Sequence, residues 1–142
     1  MQEIITNIHI HTCYSDGKKL HREIAEDAIN AGLDAIIITD HNIYVKGFDG
    51  YYSRGNKKVL VIVGEEIHNK NRVPQKNHVL VMGINESHAR YAKSPKVLIN
   101  SINAVHGLSF IAHPYDPELP AFGEDDLSWE DWSISGYTGL EL

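Results

Sequence analysis

Residues 32–42, GLDAIIITDHN, contain the segment that decides the fold. The run LDAIIIT at 33–39 is continuously apolar, which is typical of a strand buried on both faces of a parallel sheet. Two polar residues, Asp40 and His41, follow at the point where that strand must end. A strand of this kind predicts an α/β protein, so the neighbouring segments should supply its sheet partners and a covering helix.

The residues before this run complete a β-α-β unit. EIITNIHI, residues 3–10, predicts a strand, and KLHREIAEDAINAG, residues 19–32, predicts a helix that ends at Gly32. The apolar residues of that helix recur at helical spacing, at Leu20, Ile24, Ala28 and Ala31. A strand, a helix and a strand within about forty residues predict parallel pairing of the two strands.

Four more strands and a second helix are predicted further along. The strands are KVLVIVG (58–64), HVLVMGI (78–84), LSFIAHP (108–114) and the end of SWEDWSISGYTGLEL, GLEL at 139–142. The helix is SPKVLINSINAVHG (94–107), with Ser94 as N-cap, Pro95 at its first position, and Leu98, Ile102 and Val105 on one face. Because GLEL is apolar, we expect it to be buried, and a chain that ends there is expected to be one truncated domain over residues 1–142.

Composition excludes several classes of protein. The 142 residues have a formal charge of −6, which argues against a broad nucleic-acid-binding face. No apolar run is long enough to span a membrane, and the N-terminal residues MQEIITN do not resemble a signal peptide. A single cysteine, Cys13, excludes an intrachain disulfide. We therefore expect a cytoplasmic protein.

Histidine is the unusual component, with nine residues in the chain. His9 and His11 lie two residues apart on the first predicted strand, so their side chains point to the same face. Two imidazoles side by side suit a divalent metal ion better than a hydrophobic core.

Further imidazoles and carboxylates lie next to the ends of the other predicted strands. In α/β folds, functional groups collect at the C-terminal ends of parallel strands. The candidates are His9, His11, Asp16, Asp40, His41, Glu65, Glu66, His78, His113 and Glu141. Nitrogen and carboxylate ligands without thiolate suit zinc, manganese or iron. The sequence therefore predicts a metal centre.

Five motifs, in this order and spacing, resemble those of the PHP (polymerase and histidinol phosphatase) superfamily. They are HIHTCYSDG, GLDAIIITDHN, GEEI, NHVLVMGI and IAHPY, and SWEDWSISGYTGLEL is similar to a segment of the carbaryl-hydrolase-like branch. The resemblance implies a distorted (β/α)7 barrel, of which about six strands would be present here. It also implies two or three zinc, manganese or iron ions and the hydrolysis of small phosphoesters by hydroxide generated on those ions.

The resemblance also implies a role for particular residues. His9 and His11 would hold one ion, and Glu66 would bridge it to a second ion completed by His78 and His113. Asp16 and His41 would hold a third. Glu65 is the rival of Glu66, because strand alternation allows only one of the two carboxylates to face the site. Asp40 would orient a neighbouring ligand.

Other residues are candidates for contacting the substrate. His68 shares the face of Glu66 by alternation and is expected to touch substrate or metal, alongside Asp40 in the catalytic set. Lys18 and Arg72 are the substrate-binding candidates, with Lys19 and Arg54 as further loop cations. The Asp-x-His pair that the family carries on a final strand has no match in these 142 residues, which would leave the third ion with Asp16 and His41 alone.

Two alternative functions remain open. The same metals could hydrolyse a carboxylic ester, a carbamate or an amide, or the domain could be an inactive structural module. An incomplete barrel would also leave an unpaired sheet edge, so we expect self-association through that edge.

Overall fold

The structure, a computed structural model, describes residues 3–142 as an α/β protein with two four-stranded sheets. The strands are β1 (Thr6–Asn7), β2 (Ala35–Ile38), β3 (Gly50–Arg54), β4 (Lys57–Val63), β5 (Glu65–Ile67), β6 (Val79–Met82), β7 (Leu108–Ile111) and β8 (Gly139–Leu140). The helices are α1 (His21–Ala31), a short 3₁₀ helix (Ala89–Tyr91) and α2 (Pro95–Ala104). The predicted α/β class is confirmed.

The first sheet contains the predicted β-α-β unit. Its strand order is β1-β2-β4-β3, and β2 pairs in parallel with both β1 and β4. All four residues of β2 are buried, as the apolar run predicts. The predicted first strand, 3–10, is shortened to Thr6–Asn7, although the chain beyond it stays beside β2, where the Thr39 amide donates to the Ile10 carbonyl at 2.7 Å.

A hairpin that the sequence analysis did not predict forms the edge of this sheet. Strands β3 and β4 run antiparallel and are joined through Gly55 and Asn56. A glycine-containing two-residue connection is a typical hairpin turn. The segment 50–54 lacks the apolar pattern of a core strand, because none of its five residues is buried: two are half-buried and three are exposed.

The strands of the second sheet do not all run parallel, unlike those expected of a (β/α)7 barrel. Its order is β5-β6-β7-β8, with antiparallel pairing of β5 with β6 and of β6 with β7, and parallel pairing of β7 with β8. Within residues 3–142 neither sheet closes on itself, and eight short strands replace the six predicted. The connection from β5 to β6 contains no helix, whereas the one from β6 to β7 contains the 3₁₀ helix and α2. Antiparallel pairing does not require a crossover helix, although it can accommodate one.

Gly64 is the point where the chain passes from one sheet to the other. It lies between β4 and β5, and a Cβ atom added there would lie 2.4 Å from the carbonyl oxygen of Val81. Only glycine permits this close approach of backbones. The two sheets are further linked by a parallel bridge between His41 and Glu66.

Each sheet has its own hydrophobic core. Buried residues of α1 pack against β2 and β4, and Leu98, Ile99 and Ile102 of α2 pack against the second sheet. Ser94 caps α2 as predicted, accepting a hydrogen bond from the Val97 amide at 3.4 Å. Val105 is exposed, contrary to the predicted apolar face, because the helix ends at Ala104.

The C-terminal strand is also more exposed than predicted. Leu140 and Leu142 are exposed, because β8 has only two residues and lies at the edge of its sheet. In the described part of the chain, neither helix has the length and apolar character needed to cross a membrane.

Candidate metal centre

The carboxylate of Glu66 lies at the centre of five imidazoles. Glu66 is on β5 and only 1% of its surface is exposed. The nitrogens nearest to Oε2 are His9 Nε2 at 2.9 Å, His11 Nε2 at 3.2 Å and His41 Nδ1 at 3.2 Å. Those nearest to Oε1 are His78 Nδ1 at 2.8 Å and His113 Nε2 at 3.1 Å. One buried carboxylate therefore contacts five histidines from four separate segments of the chain.

Glu65 faces the opposite side of β5. Its carboxylate accepts hydrogen bonds from Ser87 Oγ at 2.6 Å and from the His88 amide at 3.1 Å. Burial raises the pKa of the Glu65 carboxyl, against the effect of these two donors. Strand alternation thus directs Glu66 toward the imidazoles and Glu65 toward the chain around Ser87.

The fold explains why these imidazoles meet. His41 lies three residues after the end of β2 and pairs with Glu66 through the bridge between the sheets. His78 directly precedes β6 and His113 closely follows β7, both of which belong to the sheet that contains Glu66. His9 and His11 follow β1 and point the same way, with ring centroids 4.9 Å apart.

Four groups of side chains bring three potential ligand atoms within 4.8 Å of one another. These groups are His9 with His11 and Glu66; Glu66 with His78 and His113; His11 with Asp16 and His41; and His41 with His68 and His78. The first three correspond to the three ion sites that the family resemblance implies. All the seven residues expected as ligands are brought together at one place.

Unpaired imidazole nitrogens in the cluster independently support a site for divalent ions. Two buried imidazole nitrogens have no hydrogen-bond partner among the described residues, namely His68 Nδ1 and His78 Nε2. Unpaired buried polar atoms are costly, and coordination of a metal ion is one way to satisfy an imidazole nitrogen. The nitrogen and carboxylate donors are those that zinc, manganese and iron accept.

The carboxylates and imidazoles of this cluster perturb one another strongly. Burial alone would raise the pKa of Glu66, but hydrogen bonds from His11, His113, His78 and His9 hold it well below its usual range. Burial alone would lower the pKa of His9, but Glu66 and Glu141 raise it to about 9. Burial lowers the pKa of His41, with Glu66 opposing the shift. The imidazoles therefore keep the buried Glu66 carboxylate anionic, and a metal ligand needs that form.

Asp40 acts on the loop that carries His11 and Asp16. Its buried carboxylate accepts hydrogen bonds from the Thr12 amide, the Thr12 hydroxyl and the Ser15 hydroxyl, each at 2.7 Å. Asp16 itself is largely exposed and lies 3.5 Å from both His11 Nδ1 and His41 Nε2. In this arrangement Asp40 is a positioning residue rather than a member of the imidazole cluster.

His68 lies at the edge of the cluster. Its ring stacks on His78, with centroids 4.3 Å apart, and meets His41 edge-on at 4.9 Å. Burial lowers the pKa of His68 to about 4, assisted by the neighbouring His78 and His41. His68 is therefore neutral at neutral pH and contacts two candidate ligands.

The cations expected to bind substrate lie elsewhere. Lys18 is exposed and has no described ion pair, and Lys19 pairs with Asp27. Arg72 pairs with Glu130 at 2.6 Å, and Arg54 donates to Asn30 at 3.2 Å. The structure brings none of these four cations into contact with the imidazole cluster in the residues described.

Two carboxylates support the cluster beyond the expected set. Glu141, a strand-end candidate to which the resemblance gave no ion, contacts His9 Nδ1 at 2.9 Å and accepts from the His113 amide at 3.1 Å. Asp116, which the sequence analysis did not single out, lies 3.4 Å from His113 Nδ1. A carboxylate three residues after a candidate ligand was the available signal for Asp116, since it can fix the orientation of that imidazole.

Comparison with known proteins agrees with the class of site. Residues 7–131 match the PHP domain. An uncharacterized protein of Methanocaldococcus jannaschii is 28% identical over 129 residues, covering 83% of this chain and 72% of that protein. Among solved structures, a two-domain protein of Bacteroides vulgatus that contains a predicted PHP-like metal-dependent phosphoesterase superposes with a TM-score of 0.56 at 21% identity. The match covers 78% of this chain, and the chain spans only 35% of that structure.

The fold and the site together define an α/β protein built around a buried histidine and carboxylate cluster. The match to the PHP domain extends over residues 7–131, which is most of the chain. The chain belongs to the PHP domain family.

Proposed function

We propose that the protein is a metal-dependent phosphoesterase. The observation that supports this most strongly is the buried Glu66 carboxylate, which lies within 3.2 Å of nitrogens from five imidazoles. So many polar groups in one place do not stabilise a hydrophobic core, whereas a site for several ions needs a shared carboxylate. The Bacteroides vulgatus structure with a PHP-like metal-dependent phosphoesterase supports the same class of reaction.

Under this proposal the side chains divide among the ions. His9, His11 and Glu66 would hold one ion, and Glu66 would also contribute to a second site with His78 and His113. Asp16 and His41, which approach each other from two loops, would hold a third. Bound divalent ions supply Lewis acidity toward phosphoryl oxygens and lower the pKa of water.

The other residues of the chain prepare this site. Glu141 fixes the orientation of His9 through Nδ1, leaving Nε2 directed to Glu66. Asp40 holds the Thr12–Ser15 turn, which sets the positions of His11 and Asp16. These carboxylates keep the imidazoles in fixed orientations before substrate arrives, which reduces the reorganisation that catalysis would require.

We extend the proposal to the fold, and infer that the two sheets are parts of the distorted barrel found in the family. The backbone contacts between them support this: the Glu66 amide donates to the Asp40 carbonyl at 3.2 Å, and the Asn42 amide donates to the Glu66 carbonyl at 2.9 Å. Hydrogen bonds therefore continue from β2 to β5 across the junction.

The test compares two substrates that share a leaving group. Protein freed of metal by chelation and then loaded separately with Zn²⁺, Mn²⁺ or Fe²⁺ is assayed with p-nitrophenyl phosphate and p-nitrophenyl acetate. The proposal predicts metal-dependent hydrolysis of the phosphate ester that is lost in Glu66→Gln. Preferred hydrolysis of the acetate would favour the carboxylic ester alternative. Loss of neither activity on chelation would contradict a metal mechanism.

A further inference from the structure

A basic cleft adjoins the imidazole cluster on the side of His68. It has a volume of about 200 Å³ and lies between the segment after β5 and the 3₁₀ helix before α2. Lys70 comes from the first segment, and Arg90 and Lys93 come from the second. No acidic residue is among the described residues that line the cleft.

The charges of this cleft are largely free to bind an anion. Arg90 pairs with Glu86 at 3.2 Å and lies over the Tyr91 ring, whereas Lys70 and Lys93 have no ion pair within the described residues. Three cations around one concavity stand out in a chain whose formal charge is −6. A concentration of positive charge in a cleft attracts anionic ligands.

Asn42 and His68 lie where the cleft meets the imidazole cluster. The His68 amide donates to Asn42 Oδ1 at 3.1 Å, which identifies the other end of that side chain as its amide nitrogen. That nitrogen, Nδ2, lies 3.3 Å from His68 Nε2 and must donate to it. Asn42 and His68 therefore hold each other in place at this boundary.

We propose that this cleft is a subsite for a second anionic group of the substrate, such as a second phosphate, next to the phosphoester that is hydrolysed. Lys70 and Lys93 would form charge-assisted hydrogen bonds to it. His68 lines the cleft and also packs on His78 and His41, so the subsite adjoins the centre. The inference rests on the proposed phosphoesterase function.

The test uses two probes that differ only in the number of anionic groups. Pentylphosphonate carries one phosphonate, and pentane-1,5-diphosphonate carries two on a flexible chain. Their dissociation constants are measured by calorimetry on metal-loaded protein, for the original chain, for Lys70→Ala with Lys93→Ala, and for Lys57→Ala with Lys58→Ala. The last pair makes the same change of charge at the start of β4, away from the cleft.

We expect the original chain to bind the diphosphonate more tightly than the monophosphonate. The cleft variant should lose about tenfold or more in diphosphonate affinity and keep monophosphonate affinity within about twofold, as the control variant should for both probes. Equal affinity of the original chain for the two probes, or equal losses in both variants, would overturn the inference.

Failure of the proposed function would look different. An original chain that takes up no metal would contradict the metal-dependent mechanism without touching the cleft. In that metal-free chain, selective weakening of diphosphonate binding by the cleft variant would still support the anion subsite, and its absence would overturn it.

Discussion

At the scale of single residues, the pair Glu65 and Glu66 shows how one position in the chain separates two roles. Glu66 contacts the imidazoles, whereas Glu65 is hydrogen-bonded to Ser87 and His88 on the other face of β5. Alternation along a strand predicts that only one of them faces the site. It does not say which, because that depends on the turn at Gly64 and on the partner strands.

Replacing each of these carboxylates by an amide should give opposite results. Glu66→Gln removes the shared anion and should lose bound metal. Glu65→Gln should retain the metal of the original chain but reduce the free energy of unfolding by about 1–3 kcal/mol, because one of its two hydrogen-bond donors would face an amide N–H. Elemental analysis and urea unfolding in chelator measure the two effects. Loss of metal in Glu65→Gln alone would contradict the assignment.

His21 should make the stability of the fold depend on pH. It is fully buried, neither ring nitrogen has a partner among the described residues, and its ring stacks on Phe48 at 4.1 Å. Burial lowers its pKa, while Asp40 and Asp49 oppose the shift. In the unfolded chain the His21 imidazole binds a proton near pH 6.5, whereas in the folded chain it does so only at lower pH. Protonation therefore favours the unfolded chain, and His21 lowers stability as pH falls below about 6.5.

The variant His21→Phe should show a shallower loss of stability between about pH 6.5 and 5 than the original chain. Chemical unfolding in chelator at several pH values measures this slope. His106→Asn is the matched control, because His106 is exposed with a φ of 58°, which asparagine tolerates. An unchanged slope in His21→Phe would refute the explanation.

At the scale of elements, the loop between β1 and α1 forms a tight turn that carries the candidate ligands His11 and Asp16. The amides of Ser15 and Gly17 both donate to the Thr12 carbonyl. A Cβ atom at Gly17 would lie 2.2 Å from the carbonyl oxygen of His11. The turn can therefore close beside His11 only with glycine at that position.

Gly17→Ala should disturb both stability and metal binding. We expect a loss of about 1–3 kcal/mol in the free energy of unfolding, because the backbone of the turn must move. The number of metal ions bound per chain should fall as well, because the turn carries the proposed ligands His11 and Asp16. Gly139→Ala is the control, since the added Cβ would meet the Phe110 ring at 3.0 Å, and a side chain can shift. Equal behaviour of the two variants would contradict this explanation.

The same scale shows what sequence patterns could and could not predict. The strand β2, the helices α1 and α2 and the cap at Ser94 follow from apolar runs and capping residues, and they are confirmed. The strands β3 and β5 were missed: β3 has an exposed, polar sequence, and β5 contains Glu65 and Glu66, whose burial depends on contacts from distant segments. Local patterns carry no information about such contacts.

For the whole molecule, the sheet edges set the expected association state. β8 is a two-residue edge strand whose Leu140 side chain is exposed, and Leu142 is exposed as well. An uncovered edge with apolar side chains invites pairing with another chain. We therefore expect the 142-residue chain to self-associate with increasing concentration.

Leu140→Lys should shift this equilibrium toward monomer, because a charge on an edge strand opposes edge-to-edge pairing. Sedimentation velocity over a range of concentrations measures the effect. Phe122→Lys, which places the same charge on an exposed loop residue, should leave association unchanged. A chain that is monomeric at every concentration would contradict the expectation.

The site as a whole was more predictable than the sheets that carry it. Histidines and carboxylates at strand ends indicate a metal centre, and the structure brings the seven expected ligands together. The sequence did not indicate the antiparallel pairing of β5, β6 and β7, because an apolar strand pattern does not specify the direction of its neighbour, and the helix between β6 and β7 suggested a parallel crossover. Nor did it indicate the cleft around Lys70 and Lys93, which is formed only when two distant segments fold together.

The central claim is that the imidazoles around Glu66 hold divalent ions, and metal content per chain tests it most directly. The protein would be purified without a tag or chelator and analysed for zinc, manganese and iron, with Glu66→Gln prepared in parallel. We predict two or more ions per chain in the original protein and fewer in the variant. A chain without stoichiometric metal, or a variant with an unchanged content, would contradict the claim.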